Sequence, residues 1–278
     1  MQFNKCDYKQ KLRLVSYKSR SGLEVLLSEP MLAMKALYTK GLSSIRRKPV
    51  HKILVGTHHK VLTKFMDRVF SAFAICTNRT ISVGMAEDVD YDADIIFDHH
   101  SQFDFSRIND EYLGIHFRRD PRDLVVSAGF YHKHSDEPQL HVPMEKLGGK
   151  TYQEHVNAMD SMEDVFLFEL DHSAGMNIRH MLQWDYDRGF VELKYEDLVV
   201  PNGGHVFRRS IEAWPLPTNE KALLESLFDH YSVFGGKGGK NRHVRDPRSK
   251  QFEEHFKEKL QKEFDSRFMD APKILGYE

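Results

Sequence analysis

Cysteine is nearly absent: Cys6 and Cys76, seventy positions apart, are the two in 278 residues. That spacing excludes a disulfide framework and a cysteine-built zinc site, and it suits a reducing compartment. Net charge is missing too, because 40 Lys and Arg stand against 41 Asp and Glu. With no whole-surface field to attract DNA or an anionic membrane, any anion site has to come from local clusters, and no nucleic-acid partner is expected. No stretch approaches the roughly 18 apolar residues of a membrane-spanning helix. The opening MQFNKCDYKQKLRL carries charge where a signal peptide has an apolar core, so the expectation is a cytoplasmic protein. Fixed-period repeats are also lacking, and the 10 Pro and 17 Gly are scattered except in GGKGG at 235–239, which reads as a loop. What is present, 40% hydrophobic and 29% charged residues, is the composition of a globular chain and argues against disorder.

Short apolar runs bounded by polar residues lie at 52–56 (KILVG), 94–98 (DIIFD), 113–117 (within YLGIHF) and 190–194 (FVELK). They are too short for buried helices and suit the inner strands of a parallel sheet. Between them the period changes. Leu62, Phe65, Met66, Val69, Phe70 and Phe73 recur at helical spacing after the first strand, and further helices are predicted at about 121–132, 151–183, 219–231 and 251–268. Strands alternating with helices give an α/β fold class: a single domain over 1–278, with a central parallel sheet flanked by helices and its core from about residue 50. Residues 1–50 read as an N-terminal extension without a motif. Ligands of such sheets bind at the edge where the strands end.

Three basic clusters stand out, the first two at such ends. GTHHKVLT (56–63) puts Lys60 and Thr63 on the turn that opens the first amphipathic helix, where backbone N–H groups and the macrodipole favour an anion. Val61 stands where a Walker A loop needs its second Gly, so an ATP-type loop is not supported. HFRRDPRDLVVS (116–127) ends a strand and opens a helix at Asp120-Pro121, with Arg119 and Ser127 able to converge on one dianion. An equal reading pairs Arg118 and Arg122 with Asp120 and Asp123 on a solvated helix start. GGKGGKNRHVRDPRSK (235–250) holds six Lys and Arg against Asp246 alone; it reads as a solvated run unless the other clusters lie beside it.

In this order and spacing the clusters resemble the sulfotransferase family that uses 3′-phosphoadenosine 5′-phosphosulfate (PAPS). The resemblance spans about residue 52 to the C-terminus. HHKVLTKF resembles that family's 5′-phosphosulfate loop, PKSGTTW, with Lys60 on the lysine and Thr63 on the first threonine. RDPRDLVVS resembles the 3′-phosphate motif, with Arg119 and Ser127 in place. VELKYEDL (191–198) resembles the segment that brings a tyrosine, here Tyr195, towards adenine. RHVRDPRSKQFEEHF resembles the C-terminal RKGxxGDWxxHF loop, with Arg245 on its arginine and Phe252 in place of the tryptophan. The departures are Val61 and Leu62 for a serine and a glycine, Lys64 for a threonine, and Asp246-Pro247 for Lys-Gly. Phe65 matches an aromatic that can stack on adenine, although its spacing favours the core.

The resemblance implies a P-loop-like sulfotransferase architecture and transfer of a sulfuryl group from PAPS to a hydroxyl, releasing adenosine 3′,5′-bisphosphate (PAP), with no metal required. Lys60 would neutralise charge building on the leaving phosphate. The family places a histidine base after the second strand, and DIIFDHHSQFD supplies His99 and His100 there; neighbouring residues leaving a strand face opposite ways, which favours one of them, His100. Rival readings are a metal site with His58 and His59, or histidines bonded to Asp98 or Asp104. His132 and His134 read as surface residues. The acceptor, a small-molecule, glycan or lipid hydroxyl, is not readable, nor is the oligomeric state; Tyr112, Phe130, Tyr131 and Tyr152 suit either an apolar pocket or a core. Asn78-Arg79-Thr80 matches a glycosylation pattern that has meaning only in a secreted chain. Two other functions stay open: a P-loop phosphotransferase, and a nucleotide-binding homologue without catalysis.

Overall fold

KILVG forms β1 (Lys52–Gly56), the middle strand of a five-stranded sheet. The computed structural model describes residues 51–234, 246 and 248–277, together with Thr39 and Gly41. Ile53, Leu54 and Val55 are fully buried, as a strand covered on both faces requires. β2 (Ile81–Gly84), β3 (Ile95–Asp98), β4 (Tyr112–Arg118) and β5 (Val191–Lys194) complete the order β2-β3-β1-β4-β5, with every neighbouring pair parallel. The side-chain period of two divides the sheet between two apolar clusters. Ile53, Val55, Ile95, Phe97, Ile115 and Phe117 face one, while Leu54 and Ile96 face the other with Phe103, Trp184 and Phe190.

The register pairs Gly56 with both Asp98 and His116, and Arg118 with Lys194, so all strands end along one edge. From β1 the chain goes to β2 on one side and later passes back to β4 on the other. That reversal opens a crevice between β1 and β4. Gly56 matters there, because a Cβ would stand 2.7 Å from Ser101 Oγ, the group that donates to Thr57 O at 3.0 Å.

Helix α1 (Thr63–Thr77) carries the predicted apolar stripe: Met66, Val69, Phe70 and Phe73 are fully buried. Phe65 is half-buried, edge-on to Phe228 at 4.8 Å between ring centroids. Helix α2 (Pro121–His134) starts as its sequence dictates, with the Asp120 carboxylate capping Arg122 N at 2.9 Å and Pro121 in the first turn.

The single helix expected over 151–183 is three: α3 (Tyr152–Asn157), α4 (Met162–Asp171) and α5 (Ser173–Gln183). Capping marks the start of the first two, while the third begins after His172 without a side-chain cap. Thr151 and Glu154 form a capping box, and Ser161 accepts from Asp164 N at 3.2 Å to start the second helix afresh. After β5 come α6 (Tyr195–Leu198), α7 (Gly203–Ser210) and α8 (Thr218–Tyr231). The expected 251–268 helix breaks at Phe256–Lys257 into α9 (Phe252–His255) and α10 (Glu258–Phe268), followed by α11 (Ala271–Ile274). β2 and α7 were not expected. ISVG is a half-buried edge strand with no apolar run, and α7 opens on Pro-Asn-Gly-Gly, which reads as a turn.

Gly114 on β4 offers a test of the sheet's second face, since a Cβ there would lie 2.5–2.7 Å from the Phe190 ring. Gly114→Ala is expected to lower stability by about 1–3 kcal/mol in denaturant titrations; an unchanged midpoint would show that Phe190 yields.

Candidate functional site

The loop from β1 to α1 follows a constrained path. Lys60 and Leu62 have φ of 66° and 61°, in the left-handed region that bulky residues avoid at a cost of about 1–3 kcal/mol each. The loop is closed on one carbonyl: His58 O accepts from Val61 N at 2.8 Å and from Thr63 Oγ1 at 2.7 Å. Leu62 thus adopts the backbone conformation a glycine would take at this position. The Val61 side chain is fully buried in the larger apolar cluster, so it does not crowd the solvent side of the loop. The single proton of the Thr63 hydroxyl is engaged within the loop, and only a rotated hydroxyl can donate to an anion.

Arg119, at the end of β4, bridges to that loop. It is 3% exposed, its Nη1 donates to Lys60 O at 3.0 Å, and its guanidinium lies 4.0 Å from the Tyr195 ring centroid. Its Nε is buried without a hydrogen-bond partner among the described residues. Arg122, not Arg119, takes the Asp120 carboxylate, at 2.7 Å. Half of the alternative pairing, Arg122 with Asp120, therefore holds, on a buried rather than solvated helix start. Lys60 Nζ sits 3.7 Å from the Tyr131 ring centroid. Ser127 is half-buried on α2, and no hydrogen bond joins it to Arg119 among the described residues.

The third cluster reaches the second through its C-terminal end. The buried Asp123 carboxylate accepts from Lys250 N at 2.6 Å and Phe252 N at 2.9 Å, and Arg122 lies over the Phe252 ring at 3.9 Å. Arg248 is largely exposed and paired with Asp246 and Glu254. Arg245 and the Gly-rich run lie outside the described residues. Tyr195 opens α6 directly after β5, 8% exposed, with burial pushing its hydroxyl pKa up.

At the end of β3, His99 and His100 diverge as adjacent residues should. His99 lies edge-on to Phe97, whereas His100 Nδ1 is 3.1 Å from Asn177 Oδ1 on α5. Burial lowers the pKa of His100, favouring neutral imidazole. Asp98 caps this turn, accepting from His100 N at 2.8 Å and Gln102 N at 3.0 Å, and burial raises its own pKa to about 6. It is the backbone of His100 that bonds Asp98, not the ring.

Sequence reasoning missed a buried polar column under the loop. Glu192 on β5 holds Trp184 Nε1 at 2.9 Å and His116 Nδ1 at 2.7 Å, and His116 Nε2 is 2.8 Å from His58 Nε2. Burial lowers the pKa of both imidazoles. With both neutral, His116 donates to Glu192 and accepts from His58, which leaves a lone pair on His58 Nδ1, buried without a partner among the described residues. His132 is another correction: it is 2% exposed, bonded to Glu169 at 2.5 Å and stacked on His59. Tyr152 donates to the same Glu169 oxygen at 3.0 Å. Tyr112 begins β4 at the far end of the sheet, which removes it from any pocket beside Lys60. Among the described residues, no group of three His, Cys, Asp or Glu is arranged to hold a metal ion, and no helix is long and apolar enough to cross a membrane. One signal for Asn177 was legible: Ser173, Asn177 and His180 fall at i, i+4 and i+7, a polar row directly beside the buried row Ala174, Ile178 and Met181.

A parallel sheet whose order reverses between β1 and β4, with Lys60 and Arg119 at the strand ends, defines the class: an α/β protein with a single parallel sheet flanked by helices. Neither a protein-family model nor a curated protein matches the chain. Among solved structures it is similar to mouse sulfotransferase SULT7A1 complexed with PAP, at a TM-score of 0.51 and 14% identity, over 86% of this chain and 91% of that one. The chain therefore has a sulfotransferase fold.

Removing the Glu192 carboxylate would strand two buried donors. Glu192→Ala is expected to destabilise the protein by about 2–5 kcal/mol, read as a lowered Tm; Glu192→Gln, which keeps one acceptor oxygen, should fall between it and the parent.

Proposed function

We propose that this protein transfers a sulfuryl group from PAPS to a hydroxyl acceptor and releases PAP. The observation that carries the reading is the meeting of Lys60, Arg119 and Tyr195 at the α1 N-terminus, with His100 on the neighbouring strand end. The residues present fit such a donor. The buried Nε of Arg119 lacks a partner among the described residues, which suits a phosphate group. The neighbouring structure's PAP is a ligand of the same chemistry.

When bound, PAPS supplies an SO₃ group already activated by its mixed anhydride with phosphate. Lys60 neutralises charge that builds on the leaving phosphate, which makes its interaction stronger in the transition state than in the ground state. Its contact with the Tyr131 ring is worth about 0.5–1 kcal/mol, less than a charge-assisted bond to a phosphate oxygen, so the ring is a resting place for the ammonium. The Arg119 guanidinium grips the 3′-phosphate, with Ser127 and Arg245 as further donors, and Tyr195 borders the adenine side. Thr63 contributes once its hydroxyl turns outward from His58 O. His100 accepts the proton of the acceptor hydroxyl, and His99 is the alternative base. The acceptor is a small molecule, glycan or lipid carrying a hydroxyl, and the site of action is the cytoplasm.

The reading is tested by incubating the protein with labelled PAPS and a panel of alcohols, phenols and glycans, with products resolved by mass, alongside calorimetry with PAP. Sulfated product is expected; PAP binding without product would mark a nucleotide-binding homologue, and no heat with PAP or PAPS would end the reading. Lys60→Ala and His100→Ala should each reduce turnover by about 10²–10⁴-fold, while Arg119→Ala should chiefly raise the KM for PAPS.

Because burial depresses the pKa of His100, its basic form persists below the ordinary imidazole value of about 6.5. The acid limb of kcat/KM is therefore expected below that pH. An acid limb at or above it would move the base elsewhere.

A further inference from the structure

Asn177 is fully buried on α5, and its side-chain amide has one permitted orientation. Nδ2 donates to Ser173 O at 2.7 Å, and Oδ1 accepts from His59 N at 3.0 Å. Both partners are backbone groups of fixed polarity, so exchanging oxygen and nitrogen would set donor against donor and acceptor against acceptor. The atom 3.1 Å from His100 Nδ1 is therefore the oxygen, which can only accept. His100 Nδ1 must carry the proton, and in the neutral ring the lone pair then resides on Nε2.

We propose that Asn177 is a positioning residue for the base: its side-chain oxygen fixes His100 as the Nδ1–H tautomer and so presents the Nε2 lone pair to the acceptor hydroxyl. The chemistry of this inference rests on the sulfuryl-transfer reading; its geometry does not. The same oxygen holds the backbone N–H of His59, the residue before Lys60. One atom thereby ties the base at the end of β3 to the anion loop at the end of β1, setting the distance between the group that takes the proton and the group that neutralises the leaving oxygen. An asparagine with a purely structural task would be satisfied by Ser173 and His59 alone. The titratable groups facing His100 are His180 on α5, with ring centroids 5.6 Å apart, His58 and His59 on the anion loop, Glu87 after β2, and Asp98 in its own turn.

The test is nitrogen-15 NMR of the imidazole rings in the full chain, without donor or acceptor. His100 is picked out from the 16 histidines by its loss in His100→Gln. At neutral pH the parent protein is expected to show His100 protonated at Nδ1 and bare at Nε2. Asn177→Asp keeps an acceptor at the same place and adds negative charge, so the proton affinity of His100 should rise at least tenfold, and the acid limb of kcat/KM should move up with it. A parent His100 protonated at Nε2 overturns the proposal, as does an Asn177→Asp variant whose His100 titrates unchanged. The parent tautomer needs the His100→Gln variant for assignment alone, so a misfolded Asn177→Asp protein leaves that reading intact. A His100 held as Nδ1–H in a chain that neither binds nor consumes PAPS would sustain the positioning role while ending the sulfuryl-transfer reading.

Discussion

The Arg119 guanidinium is the point on which the site depends. It leaves the end of β4, bonds the Lys60 carbonyl after β1 and lies over the Tyr195 ring after β5, so one buried cation joins three strand ends that are far apart in the chain. Burying a guanidinium is expensive unless its donors and its charge are matched. Here one N–H is satisfied by a carbonyl, the ring face takes part of the charge, Asp123 lies close enough to attract it, and Nε has no partner among the described residues.

The rest of the site is organised around keeping that geometry still. Of the five non-glycine residues with positive φ among the described residues, four are Lys60, Leu62, Ser101 and Lys250, all in loops at this edge of the sheet. Strain of this kind persists only where surrounding bonds over-determine it. His58 O closes the anion loop, Ser101 Oγ bonds Thr57 O, and Asp123 holds Lys250 N. Beneath them the Glu192–His116–His58 column fixes the loop from below, with burial favouring neutral imidazoles.

This arrangement explains how the loop tolerates residues that its motif disfavours. Leucine at 62 takes a positive φ, and valine at 61 turns its side chain into the core. Thr63 is the opposite case. Its identity matches the motif, yet its proton is engaged with His58 O, so residue type alone overstated what it offers an anion.

The sequence by itself determined the fold class, the positions of four of the five strands, the amphipathic face of α1 and the residues gathered at the strand ends. Those features are local: a period of two or 3.6, an Asp-Pro helix start and a run of basic side chains are each written within a dozen residues. The first break within 151–183 was also locally encoded, in Ser161, but strong helical periodicity on either side outweighed one capping residue. Tertiary structure alone decided that His132 is buried, that Tyr112 lies at the wrong end of its strand for the site, and that Asn177 meets His100. Each of these depends on which elements the sheet order brings together. A hydrogen bond between residues 77 positions apart leaves no periodic trace in the chain, because its energy depends on a geometry that exists only after the strands have paired.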